Sequence, residues 1–441
     1  MNLRAPSLPL THRSVLAIAV PVMISNVTTP LLGVVDTGVV GRIPDPAYIG
    51  AVAIGALIFT LVFWAFSFLR MGTTGLTAQA HGAGDADEVL AVLGRALLIA
   101  VAVGIAIILL QWPIREAAFA VLEGSERVES LARGYFDIRV WAAPVTLVNY
   151  ALLGWFIGLG RTDLGLVLQV LLNTTNIALD LLFVLGFGWD VRGVAFGTLL
   201  AETVAAAVGI AIAAREATRL GGRFSLERVR IPARLKQTLV VNVDIMIRTL
   251  ALLAVFVWFN AESARQGDVI LAANAVLLQF MAVAAFFLDG LAFATETLVG
   301  RAVGAAQRAR FAAAARIATL WAVAIAAVNS AALAAFGPAI IDLLTVDADA
   351  RHTAREFLPW AAAAPLLGVW AFQLDGIFIG ATRTADMRNA MLVALAIFAG
   401  AGWLLRGLGN HGLWAAFYVH YFARFGGLAY YYPRLLRSIP A

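Results

Sequence analysis

Leu164–Gly186 reads LGLVLQVLLNTTNIALDLLFVLG, an apolar run long enough to cross a bilayer, with a carboxylate, Asp180, set inside it. A spanning helix needs ~20 mostly apolar residues, and a charge near its middle costs at least ~2.5–3.5 kcal/mol on insertion scales. Gln169, Asn173, Asn176 and Asp180 follow one another at steps of four, three and four, which keeps them on one helix face. Such a stripe cannot face lipid, so it has to line the protein interior or a water-filled cavity. A second run, Ser14–Val40, carries Asp36 in the same way. Two carboxylates inside membrane runs point to an ion or proton path, and so to transport.

The rest of the chain is of the same kind. Hydrophobic residues fill 61% of the 441 positions and charged residues 13%, with a mean hydropathy of +0.87. Soluble domains carry about 25% charged residues, so the sequence predicts an all-α integral membrane protein. Apolar runs give twelve spans, at 14–41, 47–72, 90–112, 135–159, 164–187, 192–214, 237–260, 268–291, 313–336, 356–380, 387–407 and 411–432. The first run is too long for a signal-peptide core and lacks an A-x-A site, so no cleavable signal is expected. Cysteine is absent, which excludes disulfides, thiolate metal sites and cysteine nucleophiles.

The net charge is +5, but the basic residues are not interleaved with stacking aromatics, so no nucleic-acid partner is expected. They gather instead in 215–236, where Arg215, Arg219, Arg223, Arg228, Arg230, Arg234 and Lys236 face only Glu216 and Glu227. The positive-inside rule puts this linker in the cytoplasm. An even number of spans then puts both termini there, in a plasma (inner) membrane. The linker divides an N-terminal six-helix lobe, 1–214, from a C-terminal one, 237–441.

The two lobes share sequence. WFIGLGRT at 155–162 is matched by IFIGATRT at 377–384, and QAHGA at 79–83 by RAVGA at 301–305, both at a shift of 222. Pro144 and Pro365 correspond with one residue of slippage. One offset in two separate segments indicates a duplicated unit. An even number of spans per copy gives both copies the same orientation, related by an axis along the membrane normal.

Asp36 lies about six residues from the outer end of its span, Asp180 about eight and Thr198 about six, so at ~1.5 Å rise per residue all three sit roughly 9–13 Å below the external surface. With the Asn176 amide they supply hard oxygen ligands suited to a cation such as Na+. Two close carboxylates also repel, and a shared proton relieves that repulsion. H+ and Na+ both remain open. Pro21, about four turns before Asp36 on the same helix, removes a backbone hydrogen bond and creates either a static bend or a hinge. Asp244 and Arg248 are spaced i, i+4 and read as an ion pair. Glu202, four residues after Thr198, is either a backing group of the site or a structural partner. Asp289 and Asp375 are candidates for lining a cleft, as is Asp244.

Pro21…Asn26…LGVVDTGVVG at 32–41 resembles the first span of the MATE (multidrug and toxic compound extrusion) transporters. GLGRT at 158–162 and its echo GATRT at 380–384 are similar to theirs as well, and NVDIMIRT at 242–249 and LDGIFIGA at 374–381 resemble the DinF-like branch. The likeness runs from about Ser14 to Tyr432. It implies the fold of the MOP superfamily, two pseudo-symmetric six-helix bundles around a central cleft. It also implies export of small organic compounds, often cationic or amphipathic, by a monomer in the lipid bilayer, with inward H+ or Na+ as the coupling ion and no other cofactor. The branch's coupling site would fall on Asp36, Asn176, Asp180 and Thr198, its helix-bending proline on Pro21, and Tyr135 and Asn149 would join the polar network, to which the spacing already adds Asn173 and Glu202 as candidates. A lipid-linked precursor flippase is the alternative within transport, but neither extra spans nor a row of cleft arginines is evident. A membrane prenyl or glycosyl transferase would need an Asp-Asp-x-x-Asp cluster for a metal pyrophosphate, and no apolar span contains one.

Overall fold

The computed structural model describes residues 10–122 and 124–440, and no strand occurs among them. The helices are α1 (His12–Val40), α2 (Pro46–Ala65), α3 (Phe68–Gly82), α4 (Ala86–Leu109), α5 (Gln111–Val121), α6 (Glu126–Arg139), α7 (Ala143–Gly158), α8 (Thr162–Asp180) and α9 (Asp190–Leu220). After them come α10 (Leu226–Val229), α11 (Pro232–Arg265), α12 (Asp268–Gly304), α13 (Arg308–Leu344), α14 (Ala348–Gly380), α15 (Thr384–Leu404) and α16 (Gly409–Arg437). Ten of these rods, with α2–α3 and α6–α7 each taken as one, are long and apolar enough to cross a membrane. Helices α1 and α16, of 29 residues each, complete the twelve expected runs.

Several rods depart from their expected bounds. The second breaks at Phe66–Ser67 and continues to Gly82. The fourth begins at Glu126 and passes through a 3-10 turn, Val140–Ala142, just before Pro144. The fifth ends in a π-turn, Leu181–Gly186, that starts directly after Asp180. Helices α12 and α13 run for 37 residues each, about 55 Å at ~1.5 Å per residue. That exceeds a hydrocarbon core of ~30 Å, so their polar ends stand beyond the apolar stretch that hydropathy detects. The basic linker is mostly helical, because α9 continues to Leu220 and α11 starts at Pro232.

Helix starts are capped by the residues chemistry favours there. Asp45 accepts from the Ala47 N–H at 2.9 Å ahead of Pro46, and Arg127 donates to its other oxygen at 2.6 Å. These donors hold the Asp45 carboxyl below the usual carboxylate range. Ser125 and Asp347 cap α6 and α14 in the same way.

The chain divides into two compact units. One holds Ile24–Ala80 and Asp85–Leu239; the other holds the remaining described residues, chiefly from Val240 onward, with α1 up to Met23. Within each unit the same glycine contacts recur. A Cβ on Gly154 would lie 2.4 Å from the Arg70 carbonyl oxygen, and one on Gly158 2.7 Å from that of Thr74. In the second unit, Gly376 meets the Ala292 carbonyl at 2.7 Å and Gly380 that of Glu296 at 2.5 Å. All four positions are shifted by the sequence offset of 222. This is small-xxx-small packing, in which backbones approach because no side chain intervenes.

The turns after these helices repeat too. Gly160 and Arg161 donate to Ile157 and Phe156, and Thr382 and Arg383 donate to Ile379 and Phe378. Gly84 and Asp85 donate to His81 and Ala80, and Ala306 and Gln307 donate to Val303 and Ala302. The residue at the bend is left-handed each time, with φ 63° at Gly160, 51° at Thr382, 74° at Gly84 and 53° at Ala306. A left-handed residue with a Cβ costs roughly 1–2 kcal/mol. Ala306→Gly is therefore expected to raise the thermal unfolding midpoint of the detergent-purified protein, and Gly84→Ala to lower it, each by roughly 1 kcal/mol of stability.

Candidate functional site

The polar stripe of α8 faces α1 and α9 inside the N-terminal unit. Gln169 Nε2 donates to Asn173 Oδ1 at 2.8 Å, and Asn173 Nδ2 reaches the Thr28 carbonyl of α1 at 3.4 Å. One turn on, the fully buried Asn176 lies between three partners. Its nitrogen donates to Asp36 Oδ1 and to Asp180 Oδ2, both at 3.2 Å, and its oxygen accepts from Thr198 Oγ1 at 3.1 Å. The opposite amide orientation would set the oxygen against both carboxylates. Thr198 Oγ1 also lies 3.0 Å from the Val194 carbonyl, so its single hydrogen serves two acceptors.

Asp36 is half-buried and Asp180 fully buried. Their carboxyls are within hydrogen-bonding reach of each other. Asp180 Oδ1 has no hydrogen-bond partner, and it points at α9, where a Cβ on Gly197 would lie 2.1 Å away. Only glycine leaves room for the carboxylate at that point. The π-turn begins at the next residue, and such turns reset the direction of the residues around them.

Arg139 of α6 stands behind this cluster. Its guanidinium donates to Glu202 of α9 at 2.6 and 3.2 Å and lies 5.4 Å from the ring centres of both Phe59 and Phe63. Thr146 also donates to the Glu202 carboxylate, and Asn149 Nδ2 donates to the Glu202 backbone carbonyl at 3.0 Å. The Tyr135 ring packs on Gly55 and Phe59, within electrostatic reach of Asp36, Asp180, Glu202 and Arg139. Asp36, Asn176, Asp180 and Thr198 thus form one cluster, and Glu202, Asn149 and Arg139 form a second behind it. Among the described residues no three His, Cys, Asp or Glu side chains gather as a metal site. A sodium ion here would draw on the carboxylates, the Thr198 hydroxyl and a reversed Asn176 amide.

Two of these residues escape a reading of the sequence. Arg139 sits near the N-terminal end of its expected span, where an arginine normally marks the membrane interface. Gly197 has no side chain to notice, although its place just before Thr198 is a signal once Asp180 is known to face α9.

The second-lobe acids are arranged differently. Asp375 accepts from Arg248 and from Arg424, all three buried. Asp244 pairs with Arg388 at 2.6 Å and accepts from Thr384 Oγ1 at 3.1 Å. The expected Asp244–Arg248 pair does not form, because each finds a better-aligned partner on a neighbouring helix: Arg388 on α15 for the acid, Asp375 on α14 for the base. Asp289 is half-buried and interacts electrostatically with Arg248. Pro21 lies in α1, which stays helical through it, on the stretch where Gly290 of α12 approaches Ala19 and Met23.

The MatE family profile matches residues 21–182 and 245–402. The chain belongs to the MATE family. It is 39% identical to DNA damage-inducible protein F of Escherichia coli over 90% of this chain and 87% of that one, which places it in the DinF-like branch. A probable multidrug resistance protein NorM of Caulobacter vibrioides is 28% identical over 66% of this chain and 62% of its own. A multidrug resistance MATE transporter of the MOP superfamily, solved in an outward-facing conformation, superposes with a TM-score of 0.87 at 19% identity, over 97% of both chains. This MATE chain is a multi-pass membrane transporter and not an enzyme.

Removing one partner of a buried ion pair leaves an uncompensated charge at a cost of ~3–5 kcal/mol. Glu202→Gln is expected to lower stability by roughly that amount, and the double variant Glu202→Gln/Arg139→Met to regain most of it. Thermal unfolding of the purified proteins checks both.

Proposed function

We propose that this transporter is a secondary active multidrug exporter, expelling organic compounds, often cationic or amphipathic, in exchange for inward H+ or Na+. Asp36 and Asp180 couple the two movements, and Asn176 and Thr198 complete their site. The observation that carries this reading is the Asn176 amide, which joins Asp36 of α1 to Asp180 of α8 inside the membrane-spanning part of one unit. The names of its relatives, which include multidrug resistance proteins, support the class of cargo.

The chemistry follows from charge. With both carboxylates ionised, the amide nitrogen supplies one donor to each, and the two negative charges still repel. A cation arriving from outside removes that repulsion and draws α1 toward α8. The contact between the two carboxyl groups suits a proton, which needs no further ligands, while sodium would require the amide to turn. Loss of the ion loosens α1, and Pro21, which gives that helix a missing backbone hydrogen bond, is where it bends. Coupling to cargo requires only that the two positions of α1 differ in affinity for ion and for substrate. A single chain supplies all four members of the set, which supports a monomer as the working unit. The basic 215–236 segment favours cytoplasmic termini in an inner membrane.

Asp36→Asn keeps the size and the hydrogen-bonding capacity of the side chain while removing its charge. In purified protein reconstituted into vesicles, it is expected to abolish gradient-driven ethidium efflux without lowering the unfolding midpoint. Efflux at the wild-type rate would refute the assignment. Imposing proton and sodium gradients separately identifies the ion.

A further inference from the structure

The segment 215–236 carries more than the charge that sets membrane orientation. Basic residues alone satisfy the positive-inside rule, yet this segment also exposes large apolar side chains. Phe224 is 62% exposed, Leu226 51% and Ile231 40%. Arg223 directly precedes Phe224, and Arg230 directly precedes Ile231, so two of the three have a cation beside them.

The flanking helices give the depth of these groups. On α9 the apolar stretch ends at Ala214, and Arg215 and Arg219 follow before the helix stops at Leu220. On α11 it begins around Leu239 and Val240, both exposed as lipid-facing residues are, with Arg234 and Lys236 about one turn earlier. A hydrocarbon core of ~30 Å within ~40–45 Å overall leaves a headgroup layer of ~5–8 Å on each side. At ~1.5 Å rise that layer spans about three to five helical residues. Arg215, Arg219, Arg234 and Lys236 therefore lie at the level of the lipid phosphates.

Between these helices the chain folds back onto α4. A Cβ on Gly94, about two turns into α4, would lie 2.7 Å from Val229 and 3.0 Å from the Phe224 ring. The Arg223 N–H donates to Asp87 at 2.7 Å, and the Arg228 guanidinium donates to Asp85 at 2.9 and 3.1 Å. Arg95 donates to the Arg228 carbonyl at 3.1 Å. The run Val89–Leu93 precedes Gly94, so Phe224 is held at a level where α4 is already apolar, with most of its ring uncovered.

The same contacts decide which charges are compensated. Arg228 takes Asp85 and Asp87, Arg95 takes Glu88, and Arg161 and Arg219 share Glu216. Among the described residues, no carboxylate pairs with the exposed Arg215, Arg223, Arg230, Arg234 or Lys236, and Glu227 is the segment's one remaining acid. Arg234 meets the Gln237 amide at 3.4 Å. Guanidinium groups pair readily with phosphate oxygens. A zwitterionic headgroup would bring an ammonium group against these cations, whereas a headgroup of net negative charge is attracted to them. An acidic soluble protein could match the charge but would not reach Phe224 at the level of the acyl chains.

We infer that 215–236 is a binding surface for anionic phospholipid. Arg223 and Arg230 take headgroup phosphates, and Phe224 and Ile231 enter the acyl layer beside them.

The test is native mass spectrometry of the full-length, detergent-purified protein, titrated separately with phosphatidylglycerol and phosphatidylcholine. Phosphatidylglycerol is expected to bind at least tenfold more tightly, by a margin that shrinks as ionic strength rises. A basic side chain near an anionic lipid surface contributes roughly fivefold in affinity, so Arg223→Gln/Arg230→Gln is expected to remove most of the preference. Arg223→Lys/Arg230→Lys keeps the charge and is expected to retain it. Arg42→Gln, in the exposed turn between α1 and α2, is expected to leave it unchanged. Ile231→Ser is expected to weaken both lipids alike, since acyl contact does not depend on headgroup charge. The inference is overturned if the wild type shows no preference, if the preference survives Arg223→Gln/Arg230→Gln, or if Arg42→Gln abolishes it. Unchanged binding in Ile231→Ser would contradict entry into the acyl layer. Should Arg223→Gln/Arg230→Gln not accumulate, Arg234→Gln/Lys236→Gln is read against the same two outcomes.

Discussion

An ionised side chain inside a bilayer has to meet a partner from another helix, because lipid offers none. The interior of this transporter is organised by that requirement. Asp375 holds Arg248 and Arg424 between three helices, Asp244 holds Arg388, and Glu202 holds Arg139 with Thr146 behind it. Each of these acids is compensated by at least one fixed opposite charge. Asp36 and Asp180 are held differently: what joins them is an amide, which donates hydrogen bonds without bringing charge. A pair of acids held this way has a vacancy for one positive charge, and that vacancy is what the proposed mechanism uses.

The duplicated architecture conserves packing and releases chemistry. The glycines that let backbones touch, Gly154 and Gly158 in one unit and Gly376 and Gly380 in the other, make the same contacts, and the turns after them close with the same bonds. At the same offset of 222, Asp36 and Asn176 of the N-terminal unit become Trp258 and Phe398, whose rings pack edge to face, and Asp180 becomes Gly402. Close backbone approach tolerates no substitution, while a buried polar cluster can be exchanged for an apolar one of similar volume, often without loss of stability. One lobe is thus free to become a scaffold while the other keeps the titratable groups.

Much of this was legible in the sequence. Hydropathy located the spans, and the four-three-four spacing of Gln169, Asn173, Asn176 and Asp180 put them on one face, which the structure turns toward α1 and α9. The offset of 222, read from two short motifs, recurs in backbone hydrogen bonds. The reading was weaker where a tertiary choice decided. The i, i+4 spacing of Asp244 and Arg248 allowed a pair, but interhelical partners with better geometry took both. The π-turn after Asp180 has no compositional mark, and Arg139 was hidden by its place at a span end. Rod lengths were underestimated wherever a helix continued into polar residues, as α12 does through Arg301.

The claim on which the account depends is that the Asp36–Asp180 pair gives up its bound cation when cargo binds. Difference infrared spectroscopy of the reconstituted transporter, recorded as ethidium is added, reads carboxyl groups directly. The account predicts a change in the carboxyl bands that disappears in Asp36→Asn/Asp180→Asn. The same band change persisting in that variant would contradict it.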